Sequence, residues 1–202
     1  MIWLLILLLI CYLLGSFPSG SLVAKRWGVA DLSQVGSGSI GATNAFRIMG
    51  FKPALLVLAL DVAKGFVAVC LAYLVWLPPF LFPLVKVTFG LAAIAGHNWS
   101  IFSGFKGGKG VATTCGVFLA LVPQAVGIAA LLWLAVALLT RWASAASLSA
   151  ALAFPLLAYA YGASWPELIL AILAAVLVIF QHRSNLQRLL HGEEEKLDFH
   201  LF

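Results

Sequence analysis

Seven apolar runs divide this chain, at residues 2–22, 53–77, 80–98, 110–122, 124–140, 143–161 and 165–181. Most of them reach the roughly 17–25 residues that carry a helix across a bilayer core. Backbone surrounded by hydrocarbon must satisfy its own hydrogen bonds, and for a single segment only a helix does so. The breaks between runs fit: Pro78-Pro79, Pro123, Arg141-Trp142 and the stretch YGASWPE at 161–167. Only 9% of residues are charged and 63% are hydrophobic, whereas a soluble domain carries about a quarter charged. Too little polar surface exists to cover a globule, so lipid is the solvent. The sequence therefore predicts an all-α integral membrane protein with about seven transmembrane helices, one membrane domain over residues 1–202.

The stretch 110–139 reads either as one long helix or as two short ones meeting near Pro123. Lys and Arg accumulate in cytoplasmic loops, and that rule arbitrates. With seven spans and the N-terminus outside, Lys25, Arg26, Arg47, Lys52, Lys106, Lys109, Arg141, Arg183, Arg188 and Lys196 all fall inside. Merging the two short helices would carry Arg141, Arg183 and Arg188 outside. The expected topology has the N-terminus outside and the C-terminus cytoplasmic, with inner polar segments at 25–52, 96–110 and 182–202. No basic stretch precedes the first run and Lys25-Arg26 follow it, so a retained helix is expected rather than a cleaved leader. The net charge of +5 belongs to this asymmetry and not to a nucleic-acid surface. Cys11, Cys70 and Cys115 lie in apolar stretches at irregular spacing, which is neither a disulfide framework nor a metal-ligand pattern.

Chemistry-bearing residues gather on the inner side. One segment holds Ser37, Ser39, Thr43, Asn44 and Arg47, another His97, Asn98, Ser100, Lys106 and Lys109. Ser144 and Ser147 open one helix, and QHRSNLQR (181–188) follows the last. A permeation path would spread polar groups through the membrane depth. This one-sidedness instead suits a reaction where a water-soluble partner meets a lipid-soluble one. Gly36, Gly38 and Gly41 have GxGxxG spacing, but membrane helices flank them, so a dinucleotide-binding turn is excluded. FKGGKGVATT (105–114) is no P-loop, since Ser103 and Gly110 stand where glycine and Ser or Thr are required. Both loops still suit an anion. Glycines permit close backbone approach and concave amide nests, GGKG runs into a helix start, and Lys106, Lys109 and Arg47 add charge.

GSGSIGATNAFR (36–47), GHNWSIFSGFKGGKGVATT (96–114) and QHRSNLQRLLHGEE (181–194), in this order and on one side, resemble the three signature motifs of the bacterial acyl-phosphate:glycerol-3-phosphate acyltransferases, the PlsY family. The likeness extends to LDVAKG (60–65) and TRWASAAS (140–147). It implies a small multi-pass enzyme of the bacterial plasma (inner) membrane with its active site facing the cytoplasm. Such an enzyme transfers a fatty acyl group from acyl phosphate to the 1-hydroxyl of glycerol 3-phosphate, giving lysophosphatidate and phosphate. This is the first acylation step of phospholipid biosynthesis. The likeness implies no cofactor, no metal, and functional coupling to an acyl-phosphate-forming enzyme. By position it makes Ser37, Arg47, His182 and Asn185 catalytic. It makes Thr43, Asn44, His97, Lys106, Gly107, Gly108, Lys109, Gly110 and Arg183 substrate-binding, with Glu194 a structural acid. Ser144 and Ser147 are added as phosphate contacts. Ser39, Ser100, Gln181 and Ser184 depart from the usual asparagine, proline, arginine and glutamate, and the tail after Glu195 matches nothing.

Acyl phosphate is already activated, so a cationic site that holds two phosphates together supplies most of the expected help. His182, His97 or the leaving phosphate could take the hydroxyl proton, the last being preferred. Ser37, the essential serine by resemblance, could also be a nucleophile or a turn hydroxyl. Asp61 and Lys64, three apart in a span, read as a structural pair facing the bundle. Lys86 is expected to snorkel or cap a neighbouring helix. The alternative from another class is a small membrane transporter of an anionic metabolite, which would place polar residues along the spans.

Overall fold

The computed structural model describes residues 2–198, so positions 199–202 of the expected inner tail lie outside the described residues. Every regular element among the described residues is helical. In chain order they are α1 (Ile2–Ser16), α2 (Ser19–Arg26), α3 (Ala42–Met49), α4 (Phe51–Cys70), α5 (Phe82–Asn98), α6 (Val111–Leu121), α7 (Pro123–Thr140), α8 (Ala143–Ala160), α9 (Trp165–Gln181) and α10 (Arg183–His191). Four stretches are long and apolar enough to cross a bilayer: Ile2–Arg26, Phe51–Leu74, Pro123–Thr140 and Ala143–Ala160. Trp165–Gln181 with Arg183–His191, bent by 56° between them, makes a fifth.

Three expectations need correction. The first run is two helices, not one, because Pro18 has no N–H to give. The Leu14 carbonyl that a Pro18 amide would have served accepts instead from Phe17 N at 3.1 Å, and the Phe17 carbonyl accepts from Ser19 N at 2.9 Å and from Lys64 Nζ at 3.3 Å. The inner segments expected as loops contain α3 and α10. These short helices are held by packing: α3 buries Ala45 and Phe46 beside Val23, Ala24 and Leu32. Lys86 is tied to the neighbouring helix by an ion pair rather than by a cap, meeting Glu167 across α5 and α9 at 3.2 Å. Glu167 also accepts from Ser164 N and Oγ, closing a capping box at the start of α9. By contrast, 110–139 does break as expected. Val122 leaves the helical region at φ −140°, and Pro123 occupies the first position of α7, where its missing N–H costs nothing.

Two seams are closed by glycine. α1 packs on α5, and α4 on α6. An added Cβ on Gly15 would overlap the Ala93 carbonyl, and one on Gly96 the Tyr12 carbonyl. Gly65 and Gly116 face Thr113 O and Val62 O in the same way across α4 and α6. Lipid gives no hydrophobic drive for helices to associate, so close packing of small residues does it instead. Asp61 and Lys64 sit within this closed part, paired at 2.8 Å and both buried. Asp61 Oδ1 also accepts from the Ser19 hydroxyl and lies 3.6 Å from His97 Nδ1. One carboxylate thereby ties α2, α4 and the C-terminal end of α5. α7 packs on α8, and α8 on α9. The space these three leave against α4 and α6 is the candidate site.

Candidate active site

Residues 31–47 wrap around one amide. Asn44 Oδ1 accepts from the Ser37 backbone at 2.9 Å, while Nδ2 donates to the carbonyls of Leu32, Val35 and Ser39 at 3.0, 2.9 and 2.8 Å. The side chain is buried and its hydrogen-bonding capacity is taken up. Asn44, expected to bind substrate, builds the loop instead. Gly36 (φ +58°) must be glycine, since a Cβ there would overlap Asn44 Oδ1. The arrangement turns Ser37, Thr43 and Arg47 toward one cavity.

The second loop corrects the amide-nest reading. Gly107 N donates to Asn98 O at 3.2 Å and Gly108 N to His97 O at 3.0 Å. These carbonyls end α5 and lack intrahelical partners. The two amides are therefore committed to docking the loop on α5, and a Cβ at either position would overlap His97 or Asn98. Gly110 (φ +80°) turns the chain into α6. Between them Lys109 reaches the cavity and donates to Asn185 Oδ1, whereas Lys106 is exposed and lines no part of it. Burial pushes the Lys109 ammonium down from 10.5 to about 8, with Arg188 and Arg47 adding to the fall and Glu194 opposing it.

The third segment supplies a base-like nitrogen and an acid clamp. His182 Nδ1 lies 2.8 Å from the Val178 carbonyl, which can only accept. Nδ1 therefore carries the proton and Nε2 keeps its lone pair. His97 is placed differently: Nδ1 meets Thr113 Oγ1 at 3.0 Å, and Nε2 is packed against Gly108. Asn185 Nδ2 and Arg188 Nε donate to opposite oxygens of Glu194 at 2.7 and 2.8 Å. Burial alone would raise the Glu194 carboxyl, but hydrogen bonds from Asn185 and Arg188 and the Arg188 charge hold it below the ordinary value. Glu194 thus fits the structural role expected of it. Ser147 lines the cavity, yet its hydroxyl accepts from Trp133 Nε1 and donates to Ala143 O. Arg183 is exposed and lies over the Phe180 ring, outside the cavity.

The cavity measures about 360 Å³. At its polar end stand Ser37, Arg47, Lys109, His182, Asn185 and Glu194. From there an arm runs between α6, α7, α8 and α9, walled by Ala129, Ala130, Ala150, Ala151, Ala171, Ala174 and Ala175. Phe118 and Phe154, ring centroids 4.6 Å apart, also line it. Sequence reasoning missed this alanine wall, because one alanine in an apolar helix looks like another. It also missed a second cavity of about 170 Å³ lined by Gly36, Ser37, Arg47, Arg188 and Glu193–Glu195.

A cationic end joined to an apolar arm has the chemistry to accommodate an amphiphile carrying phosphate. The glycerol-3-phosphate acyltransferase family model matches residues 5–192. This chain belongs to the glycerol-3-phosphate acyltransferase family. Among curated family members, glycerol-3-phosphate acyltransferase 2 of Moorella thermoacetica is 43% identical over 96% of this chain and 97% of its own length. The acyltransferase of Desulforudis audaxviator is 41% identical over 93% of this chain and 92% of its own. Two crystal structures of PlsY, an integral membrane glycerol 3-phosphate acyltransferase, share the fold. The glycerol 3-phosphate form aligns with a TM-score of 0.89 at 40% identity, over 96% of each chain. The lysophosphatidic acid form aligns at 0.87 and 38%, over 98% of this chain and 97% of that one.

Proposed function

We propose that this acyltransferase takes its acyl group from acyl phosphate and delivers it to the 1-hydroxyl of glycerol 3-phosphate at the cytoplasmic face of a bacterial inner membrane. The chain is a multi-pass membrane enzyme that acylates glycerol 3-phosphate. One observation carries the finer reading: the cationic end and the alanine-walled arm are a single space. The arm takes the acyl chain, and the Arg47–Lys109 end takes the phosphates. An acyl-phosphate-forming enzyme would supply the donor. A transporter would need polar groups beyond this end, and the arm offers alanine.

In the proposed step the glycerol hydroxyl oxygen adds to the acyl carbonyl carbon. The bond from that carbon to the phosphate oxygen then breaks, and its electron pair leaves with the phosphate. Arg47 and Lys109 offset the repulsion between two phosphate groups and hold them in reach of each other. Ser37 donates a hydrogen bond to phosphate. Thr43 and Gly110 shape the wall beside it, and Asn185 fixes the Lys109 ammonium. The hydroxyl proton goes to the leaving phosphate, with the unprotonated Nε2 of His182 as the protein group able to accept it. For topology we infer seven spans with the N-terminus outside: the α1–α2 pair, α4, α5, α6, α7, α8 and α9. The support is that this arrangement puts the basic loop residues on one side of the membrane.

The test offers purified protein labelled glycerol 3-phosphate with palmitoyl phosphate or palmitoyl-CoA in parallel. Labelled lysophosphatidate from the phosphate donor alone, lost in Ser37→Ala and Arg47→Ala, is expected. Equal product from the thioester overturns the donor assignment.

A further inference from the structure

Arg47 is not free to meet a ligand. Its Nη2 donates to the Glu195 backbone carbonyl at 2.8 Å, and its Nη1 lies 3.3 Å from the Glu195 carboxylate. Its Nε is buried without a hydrogen-bond partner among the described residues. The tail that brings Glu195 there is anchored on both sides. Upstream, Glu194 is clamped by Asn185 and Arg188, and its carbonyl accepts from Trp142 Nε1 at 3.1 Å. Downstream, Leu197 is buried, and its backbone exchanges hydrogen bonds with Arg141, N to O at 2.6 Å and O from Nε at 3.0 Å. Residues 193–195 thus roof the smaller cavity, which meets the larger one at Ser37, Arg47 and Glu194.

We propose that the Glu195 carboxylate is a resident anion on Arg47, which the phosphate of glycerol 3-phosphate must displace, so that Glu195 sets the affinity for that substrate. The proposal rests on the reading of Arg47 as a phosphate site. The three acids of the tail divide the work by what holds them. Glu194 is buried and committed to Asn185 and Arg188. Glu193 is exposed. Glu195 faces Arg47 with a side chain still 57% exposed, so water can take it up when a stronger anion arrives. A phosphate dianion presents more charge and more acceptor oxygens to the planar guanidinium fork than one carboxylate does. The exchange is therefore downhill but weakened by what it displaces. A half-exposed pair has a modest strength, so removing it tightens binding about two- to fivefold.

Glycerol 3-phosphate is titrated calorimetrically into the full-length protein in detergent, without donor, for wild type, Glu195→Gln, Glu195→Ala and Arg47→Ala. Both Glu195 variants are expected to bind about two- to fivefold tighter. In turnover assays their KM falls by the same factor while kcat stays within about twofold. Unchanged or weaker binding in both overturns the proposal, and weaker binding would make Glu195 a support that orients Arg47. Arg47→Ala separates the two levels. If it abolishes binding while the Glu195 variants change nothing, the phosphate site stands and the resident anion falls. If it binds like wild type, the phosphate site falls and the proposal with it.

Discussion

The molecule uses small residues for opposite purposes in its two halves. Between α1 and α5, and between α4 and α6, glycines let backbones touch, and nothing fits between the helices. Between α7, α8 and α9, alanines stand where those glycines would be, and a cavity runs along them. One methyl group per position decides the outcome. Without it the helices close on each other; with it they stand off and leave a smooth, apolar wall. Charge follows the same division. Lys64 is buried against Asp61 and the Phe17 carbonyl in the closed half, while Arg47 and Lys109 line the cavity of the other, held by Glu195 and Asn185.

The comparison breaks most sharply at Gly116. Replacing it with leucine drives a side chain into the Val62 carbonyl, and a loss of about 3 kcal/mol or more is expected. Thermal unfolding in detergent reads it, with Gly127→Leu as the contrast. A Cβ on Gly127 meets nothing within 4 Å, so its midpoint should stay near wild type. A smaller and more selective effect is expected from Ala151→Leu, on the alanine wall. The fold persists, kcat/KM with palmitoyl phosphate falls about tenfold or more, and an octanoyl donor is nearly unaffected. Equal losses on both donors would mean that the arm does not hold the acyl chain.

The mildest effect concerns Lys109. Its folded value of about 8 lies below the ordinary 10.5. Between these values the folded chain binds fewer protons than the unfolded one, so this group adds stability as pH rises through that window. Activity moves the other way. Above about pH 8 the cation facing the phosphate is lost, and kcat/KM for glycerol 3-phosphate should fall. Lys109→Arg, charged throughout, should carry the plateau to higher pH, and a fall unmoved by that change would assign it to another group.

The closed half was the more legible one. Long apolar runs show helices whatever packs against them, and two ionisable groups one turn apart in a span had to find each other. The site was legible in part. Its motif loops announced phosphate chemistry, but the direction of each side chain did not follow from spacing. Lys106 and Lys109 are equal candidates in a glycine loop, and only its docking on α5 turns one inward and the other out. The same docking takes up the amides of Gly107 and Gly108. Asn44 looked like a ligand contact because its role depends on three carbonyls contributed by the preceding turn. α3 and α10 were hidden because an eight- or nine-residue helix owes its existence to what it packs on. The Glu195–Arg47 contact joins residues 148 positions apart, and no local pattern encodes it.

The glycine seam between α1 and α5 also has a history during synthesis. Residues 2–16 leave the ribosome far ahead of residues 82–98, and at ~5–20 residues per second several seconds separate them. Through that interval α1 stands in lipid with Gly15 facing no partner. Its remaining surface, mostly leucine and isoleucine, suits that wait. A helix made well before its partner must wait for mid-chain, and the bilayer itself shelters it until then.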